Sequence, residues 1–536
     1  MDPVIIVGAG PVGLSLALAL ASQRVPCVVL DEGPGKEERR PARTVVLRED
    51  TAALVERLGV VTTGGEGGVR PSAWRSFRRR QELRRMVFGA AAEPGTDDAG
   101  PAPLHLPQHV LTRGLRAALA DEHLVKLVPG ARLDSLEQDA AGITAHTRGG
   151  NATWWRGSWL VGCDGPRSTV RKLLDVRFPG RTAVERHAVA ALRAELPWTD
   201  EALLHRAPPW RGAAAEVTAR PLPDGVWRID WLLPPRSDLV TPEQLIARVR
   251  ETLEGWCGTT PPYELLDTGV HTVHHRLARR WRVGRAFLAG DAAHLLGAIG
   301  TQGLDEGLRD VGNLAWKLAL AWHHGASDTL LDSYQAERRS AVAARLRAAD
   351  QALPILRGGG GLRTYLPGSA RNHDTLLADG HLGRGPLGAP PVYARSPLVP
   401  ARSDSEVPVG TEPGAPVEDV PVTAPDGAAV RLRERLGRGL LVVLVAPGTG
   451  VWDRRHWMQA GVMPRLAAAV SALPMPAELL VTESYPSAAA HTVLVVRPDG
   501  HLVAAFAGVR PAELYACADT VRGGSAGAGT KTTAGH

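Results

Sequence analysis

Val4-Ile5-Ile6-Val7-Gly8-Ala9-Gly10-Pro11-Val12-Gly13-Leu14-Ser15-Leu16-Ala17-Leu18-Ala19-Leu20-Ala21 is the stretch on which the fold turns. Residues 2–7 form a short β-branched run, as a buried parallel strand does. A glycine turn follows, then an Ala/Leu-rich helix from Val12 to Ser22. Cys27-Val28-Val29-Leu30 reads as a second buried strand ending in Asp31-Glu32, which completes a β-α-β unit of about thirty residues. In the spacing Gly8-x-Gly10-x-x-Gly13, Gly8 permits the tight turn and Gly10 lets the backbone approach a pyrophosphate. Gly13 lets helix and strand pack closely. Free N–H groups at the helix start, that of Val12 among them, face the phosphates. Asp31 ends the second strand, where an acid accepts hydrogen bonds from an adenosine ribose. Glycine turns alone are common; the strand, the helix and the distal acid together make this one a dinucleotide cradle.

Outward from the cradle, two further motifs follow strand-like runs. Cys163-Asp164-Gly165-x-Arg167-Ser168-x-Val170-Arg171 comes directly after Trp159–Val161. It places a carboxylate and a glycine turn before a basic helix start, and Asp164 could equally serve as a helix cap. Gly284-Arg285-Ala286-Phe287-Leu288-Ala289-Gly290-Asp291-Ala292-Ala293-His294 is a strand ending in Gly-Asp, a carboxylate placed to bind a polyol chain. Gly300-Thr301-Gln302-Gly303 then opens a long helix running to about His323, whose N-terminus favours negative charge. His294 reads as a structural hydrogen-bonding residue rather than a base.

Between these motifs, residues 178–280 change to strand-like texture, with Trp227, Ile229, Trp231 and Leu233 on one alternating face. Residues 64–104 read as loops with short strands, 107–122 as helix, and 330–353 as more helix. Gly358–Gly361 and the Pro/Gly-rich stretch 385–416 mark a boundary. Beyond it, Leu440–Val445, Leu479–Val481 and Thr492–Val496 read as buried strands.

Composition narrows the function classes. The 536 residues call for two or three domains, and 44% hydrophobic residues suffice for large cores. The 62 basic residues nearly balance 56 acidic ones, and Arg78–Arg80 and Arg84-Arg85 stand without a nucleic-acid motif, so no nucleic-acid partner is expected. Cys27, Cys163, Cys257 and Cys517 form no C-x-x-C, and no histidine has zinc-like spacing around them; neither a disulfide framework nor a metal is expected. The apolar run Val4–Leu20 lacks a basic lead and is broken by glycines, so it is not a signal peptide. No apolar stretch long enough to span a membrane occurs elsewhere, and a cytoplasmic protein is expected.

In their order and spacing the three motifs resemble the group A flavoprotein monooxygenases, the para-hydroxybenzoate hydroxylase fold family. The likeness is strongest to its aromatic polyketide and phenol hydroxylases, which carry a C-terminal thioredoxin-like domain. It is strong over residues 4–350 and weaker to about 510, where Val495-Val496-Arg497-Pro498-Asp499-Gly500 is similar to the family's terminal strand. The resemblance implies an α/β fold: a Rossmann-type FAD-binding domain, an inserted mostly antiparallel β-sheet substrate domain, and a small C-terminal thioredoxin-like α/β domain. The implied boundaries are 1–177 and 281–384 for the FAD-binding domain and its long helices, and 178–280 for the substrate sheet. Residues 385–521 would form the thioredoxin-like unit without C-x-x-C, and 522–536 a disordered tail.

The resemblance also implies roles. FAD would be held by Gly8, Gly10, Val12, Gly13 and Asp31 (the family usually has Glu there), by Arg43 and Gln108, and by Asp164 and Gly165. Gly290 and Asp291 would hold its ribityl chain, and Gly300, Thr301, Gln302, Gly303 and Leu304 would face its ring. Arg167 would meet NAD(P)H, which reduces the flavin as a transient co-substrate. Trp227, Trp231 and Ala298 are candidate substrate walls, the tryptophans reading equally well as core aromatics. No acid or base is assigned; His271, His274 and His275 lie in a strand leading toward the Gly-Asp motif. The implied reaction is hydroxylation of an aromatic polyketide or other polycyclic phenol or quinol through a flavin C4a-hydroperoxide, with O2 as co-substrate, in a monomer or homodimer. Ala298, Thr301 and Asp305 depart from the family's Pro, Gly and Asn, which opens the substrate and the fate of the oxygenated flavin. Baeyer–Villiger oxygen insertion is therefore the runner-up. A flavin dehydrogenase or halogenase is a second class, although no W-x-W-x-I-P occurs early in the chain, and a non-catalytic flavin-binding protein is a third.

Overall fold

A computed structural model describes residues 1–524 apart from 36–37, 63–66, 90–96, 99, 150–152, 211–215, 234–239, 298–302, 326, 357–378, 383, 425 and 449–460. The expectations for Ala298, Gly300, Thr301 and Gln302, and for the tail beyond Gly524, lie outside the described residues.

The cradle stretch forms the centre of a six-stranded sheet ordered Arg282–Val283, Ala286–Leu288, Trp159–Gly162, Val4–Val7, Cys27–Asp31, Val125–Pro129. Its pairings are parallel except the first. Every residue of Val4–Val7 and Trp159–Gly162 is buried, as a parallel sheet covered on both faces requires. The helix Pro11–Ala21 starts on a proline, whose missing N–H costs nothing at a first helical position. It packs between Gln108–Ala120 and the long helix Gly303–His324.

A second, nine-stranded sheet covers the carboxyl ends of these parallel strands. Its order is His294–Leu295, Tyr263–Leu277, Gly180–Ala194, Val226–Leu233, Glu216–Pro221, Glu201–Arg206, Ala73–Arg78, Gln81–Val87, Asp97–Asp98. Most neighbours are antiparallel; Glu201–Arg206 runs parallel to Ala73–Arg78. Residues 178–280 thus supply only part of it, and strands from 73–98 extend it. Those strands are rich in arginine, and their pairing with Glu201–Arg206 links residues more than a hundred positions apart, which local pattern does not carry.

The alternation in Val226–Leu233 is present, but its apolar side faces away from the cradle. Trp227, Ile229, Trp231 and Leu233 are buried against Leu245, Val249 and Leu253 of the helix Pro242–Cys257. Trp231 Nε1 donates to Thr252 Oγ1 at 2.9 Å. Trp227 and Trp231 are core residues, not cavity walls. Period-two side chains give a strand two faces, and here the amphipathic helix takes the apolar one.

The C-terminal region forms a six-stranded sheet ordered Ala429–Arg431, Pro421–Thr423, Ala477–Thr482, Leu440–Val445, Thr492–Val496, Leu502–Ala507. A buried ionic cluster ties it to the long helix. Arg497 donates to Glu337 at 2.6 and 2.9 Å and to Asp499 at 2.6 Å. Lys317 donates to Glu337 at 2.7 Å, and Asn313 bridges Glu337 and Asp499 at 2.6 and 3.1 Å. All four cysteines are free, and no helix among the described residues is long and apolar enough to cross a membrane.

Candidate FAD and substrate site

A cavity of about 920 Å³ lies between the glycine cradle and the cover sheet, at the carboxyl ends of the parallel strands. Its size is near the top of the roughly 300–1,000 Å³ range of ligand sites. The three cradle glycines are each required in a different way. Gly8 has φ 106°, and a Cβ there would sit 2.5 Å from the Cys163 carbonyl oxygen. A Cβ on Gly13 would meet the Gly8 carbonyl oxygen at 2.0 Å, so helix and turn touch through backbone. At Gly10 a Cβ meets nothing within 4 Å and would project into open space beside the cavity that Gly10 and Val12 line.

Of the residues expected at the cofactor, the cavity brings together Gly10, Val12, Arg43, Gln108, Gly165, Asp291, Gly303 and Leu304. Arg43 and Gln108 are joined directly, the Gln108 N–H donating to the Arg43 carbonyl at 2.7 Å. Asp31 stands behind the turn, accepting from Ala9 N–H at 2.9 Å and Gly33 N–H at 3.1 Å. Gly290, at φ 59°, donates its N–H to Asp310 at 2.9 Å and packs on Val12. Asp164 caps the helix Thr169–Leu173 through Oδ2, at 2.6 and 3.0 Å, and leaves Oδ1 buried without a partner among the described residues. Arg167 is exposed one residue beyond Pro166 of the cavity wall.

Asp291 opens to the cavity while protein packs closely around it. That desolvation pushes its carboxyl above the ordinary range, opposed by His294 and Arg43. His294 is fully buried, 2.8 Å from Asp310 and stacked on Trp281, in keeping with a structural role. Asp305 turns away from the cavity: buried, it pairs with the Arg48 guanidinium and accepts from Thr51 Oγ1 at 2.5 Å. A carboxylate where the resemblance expects Asn thus answers a buried arginine.

The opposite wall is the polar face of the cover sheet, which sequence reasoning assigned to no role. Arg228 and Asp230 alternate with the core tryptophans, and Arg220, His187, His271 and His381 join them around the cavity. Asp230 accepts from Arg228 at 2.8 Å and Arg220 at 3.1 Å. Burial works to raise its carboxyl, but the two guanidiniums outweigh that and hold it below the usual carboxylate range. The one local signal was charge at alternate positions of an otherwise apolar strand, which also describes a solvated face.

The orphaned Asp164 oxygen, the open position at Gly10 and the cavity-lining carboxylate Asp291 together fit a flavin dinucleotide. Residues 1–349 match the family model described as FAD binding domain. The chain belongs to the FAD binding domain family. Within that family it is 33% identical over 356 residues to the 3-(3-hydroxy-phenyl)propionate/3-hydroxycinnamic acid hydroxylase of Paraburkholderia xenovorans (strain LB400), covering 63% of this chain and 53% of that one. The chain therefore spans about half the length of that relative. It is also 33% identical over 356 residues to the rifampicin monooxygenase of Streptomyces venezuelae, covering 63% of this chain and 68% of the relative. In fold it is similar to the flavin-dependent monooxygenase PieE, solved with FAD and substrate, at TM-score 0.74 and 22% identity over 97% of this chain and 98% of that one. The FAD binding domain family thus accounts for the cradle, and the likeness to PieE extends the shared fold through the C-terminal sheet.

Proposed function

We propose that this chain is an NAD(P)H-dependent FAD monooxygenase that hydroxylates an aromatic or polycyclic phenolic ring. The carrying observation is one continuous cavity with the glycine cradle on one side and a charged sheet face on the other. Bound FAD would supply reduction by NAD(P)H and activation of O2, chemistry that side chains lack. The protein supplies binding and orientation. The N–H groups at the start of Pro11–Ala21 hold the pyrophosphate, and Asp31 lies at the ribose end. Arg43, Gln108 and Asp291 hold the ribityl and ring portions, with Gly165 beside them. Val189, Val273, Leu295 and Leu296 give the cavity apolar lining that limits water at the reacting ring. Exposed Arg167 is the proposed contact for NAD(P)H. The C-terminal unit, thioredoxin-like but without paired cysteines, is a packing element in this reading. A cytosolic setting and a monomer or homodimer belong to the same proposal.

The test is NADPH and NADH oxidation by the FAD-loaded protein against a panel of phenols, quinones and polycyclic polyketides, under 18O2, with products read by mass. A product heavier by one labelled oxygen with intact rings is the expected result. The same mass gain with an inserted ester or an opened ring moves the assignment to Baeyer–Villiger oxidation. Absence of FAD binding, or oxidation that no aromatic compound accelerates, overturns the proposal.

A further inference from the structure

His381 belongs to neither large sheet, yet it reaches the cavity beside Arg220 and Glu216. Three separate contacts fix it. Arg48, buried and paired with Asp305 in the first turn of Gly303–His324, donates to the Gly380 carbonyl at 2.9 Å. The imidazole stacks on Trp74 with ring centres 5.1 Å apart at 28°. Arg220 Nη2 lies 2.9 Å from its Nδ1, while Arg220 Nη1 donates to Asp230 at 3.1 Å. Backbone, ring face and one ring nitrogen are thus each held from a different side.

These contacts decide where the ring carries its proton. A guanidinium offers donors only and keeps its protons, so the hydrogen between the two nitrogens belongs to Arg220 and Nδ1 is bare. Burial holds the imidazole well below its ordinary range, with Arg220, Arg48 and His187 adding to this and Asp230 opposing it, so the ring is neutral. A neutral ring has one proton, and here it sits on Nε2. That nitrogen has no hydrogen-bond partner among the described residues; Glu216 Oε1 stands 4.0 Å away, beyond reach. His187 and His271 differ. They face each other across paired strands of the cavity wall, rings stacked 5.4 Å apart at 9°, and no described arginine dictates which nitrogen is protonated.

We propose, resting on the monooxygenase reading above, that His381 is a specificity-determining residue whose Nε2–H donates to a ketone or quinone carbonyl of the aromatic ligand. The surroundings suit a neutral oxygen. Arg220 and Arg228 are answered by Asp230 and Glu216, so net charge gives an oxyanion no advantage there. No proton moves in this contact. A ligand that presents hydrocarbon at the same place leaves the donor unpaired, and a site built around a donor rejects such an analogue.

The experiment titrates FAD-loaded protein with 1-tetralone and with tetralin, bicyclic probes that differ by one carbonyl oxygen, and reads the perturbed flavin absorbance. The ketone is expected to bind about tenfold tighter than the hydrocarbon. Its infrared carbonyl band should lie lower when bound than in hexane, as a hydrogen bond requires. His381→Phe keeps a ring for Trp74 but has no donor; it should lose the preference and return the band toward the hexane position. His381→Gln, which keeps an N–H, should retain the preference. Equal affinity of the wild-type protein for both probes, no binding of 1-tetralone, or an unchanged preference in His381→Phe overturns the proposal. If His381→Phe does not hold FAD, the band in His381→Gln decides: a position displaced from that of the wild type upholds the contact, and an unmoved one overturns it. Failure of the wild-type protein to bind FAD instead defeats the monooxygenase reading, and is seen separately in the flavin spectrum.

Discussion

Two clusters of buried charge, one at the seam with the C-terminal sheet and one on the cavity wall, are built from similar residues and do different things. At the seam, both oxygens of Glu337 are taken by Arg497, Lys317, Asn313 and Ser396, and Asp499 is taken by Arg497 and Asn313. Among the described residues, every carboxylate oxygen of that cluster is already held by at least one donor. On the wall, Asp230 is shared by two arginines, yet the facing imidazoles of His187 and His271 keep unused nitrogens toward a cavity. Burial and shifted titration are common to both. Spare hydrogen-bonding capacity facing open space separates a working site from a fastening.

The largest effect expected from this contrast is at the seam. Arg497→Met strands Glu337 and Asp499 without their guanidinium, and removing one partner of a buried ion pair costs about 3–5 kcal/mol. Urea unfolding should show that loss; a change below about 1 kcal/mol would mean the seam behaves like a surface salt bridge. On the wall, Asp230→Asn leaves Arg220 and Arg228 buried without their carboxylate, so by the same argument it should cost stability and, in addition, activity. Two guanidiniums left without their carboxylate no longer present a fixed geometry, and kcat/KM for aromatic turnover is expected to fall about 10²-fold, the scale of losing one preorganised electrostatic group. Steady-state kinetics beside a denaturation curve separates the two, and an Asp230→Asn variant that keeps its kcat/KM would erase the distinction.

Gly10→Ala extends the contrast to the cradle. The methyl meets no protein atom, so the fold should hold, while flavin affinity falls about tenfold, or 1.4 kcal/mol, because the backbone can no longer approach the pyrophosphate. Titration of the apoprotein with FAD measures it. A further effect is in pH. His187 is held near 4 against 6.5 when free, so as pH drops from 6.5 toward 4 the unfolded chain binds the proton first and stability declines. Glu337 and Asp499 are depressed below their free values of 4.5 and 3.8, so their contribution is lost only as pH falls past those values. His187→Gln should flatten the upper limb alone, read from urea midpoints across pH; an unchanged upper limb would assign it to other groups.

Much of the cofactor side was legible because each part of it is local. A strand, a glycine turn and a helix within thirty residues set the backbone geometry of the cradle, and Gly290-Asp291 likewise ends a strand at the cavity. Asp164 is a finer case: the cap and the binding reading both had grounds, and the structure uses one oxygen as a cap while the other lacks a partner. The wall was not legible. Trp227 and Trp231 attracted attention as aromatics near an expected substrate, yet the helix Pro242–Cys257 takes their face. His187 and His271 lie 84 positions apart and meet only through strand register. Asp305 looked like a substrate-side departure until Arg48, 257 positions away, was found beside it.

By itself the sequence determined the cradle, the order of the parallel strands' motifs and the family to which they belong, since those depend on backbone sterics over short spans. Only the tertiary structure decided which face of the cover sheet meets the cavity, which buried charges are sealed and which stay open. A strand's alternation defines two faces equally well, and the choice between them is made by whatever packs against each.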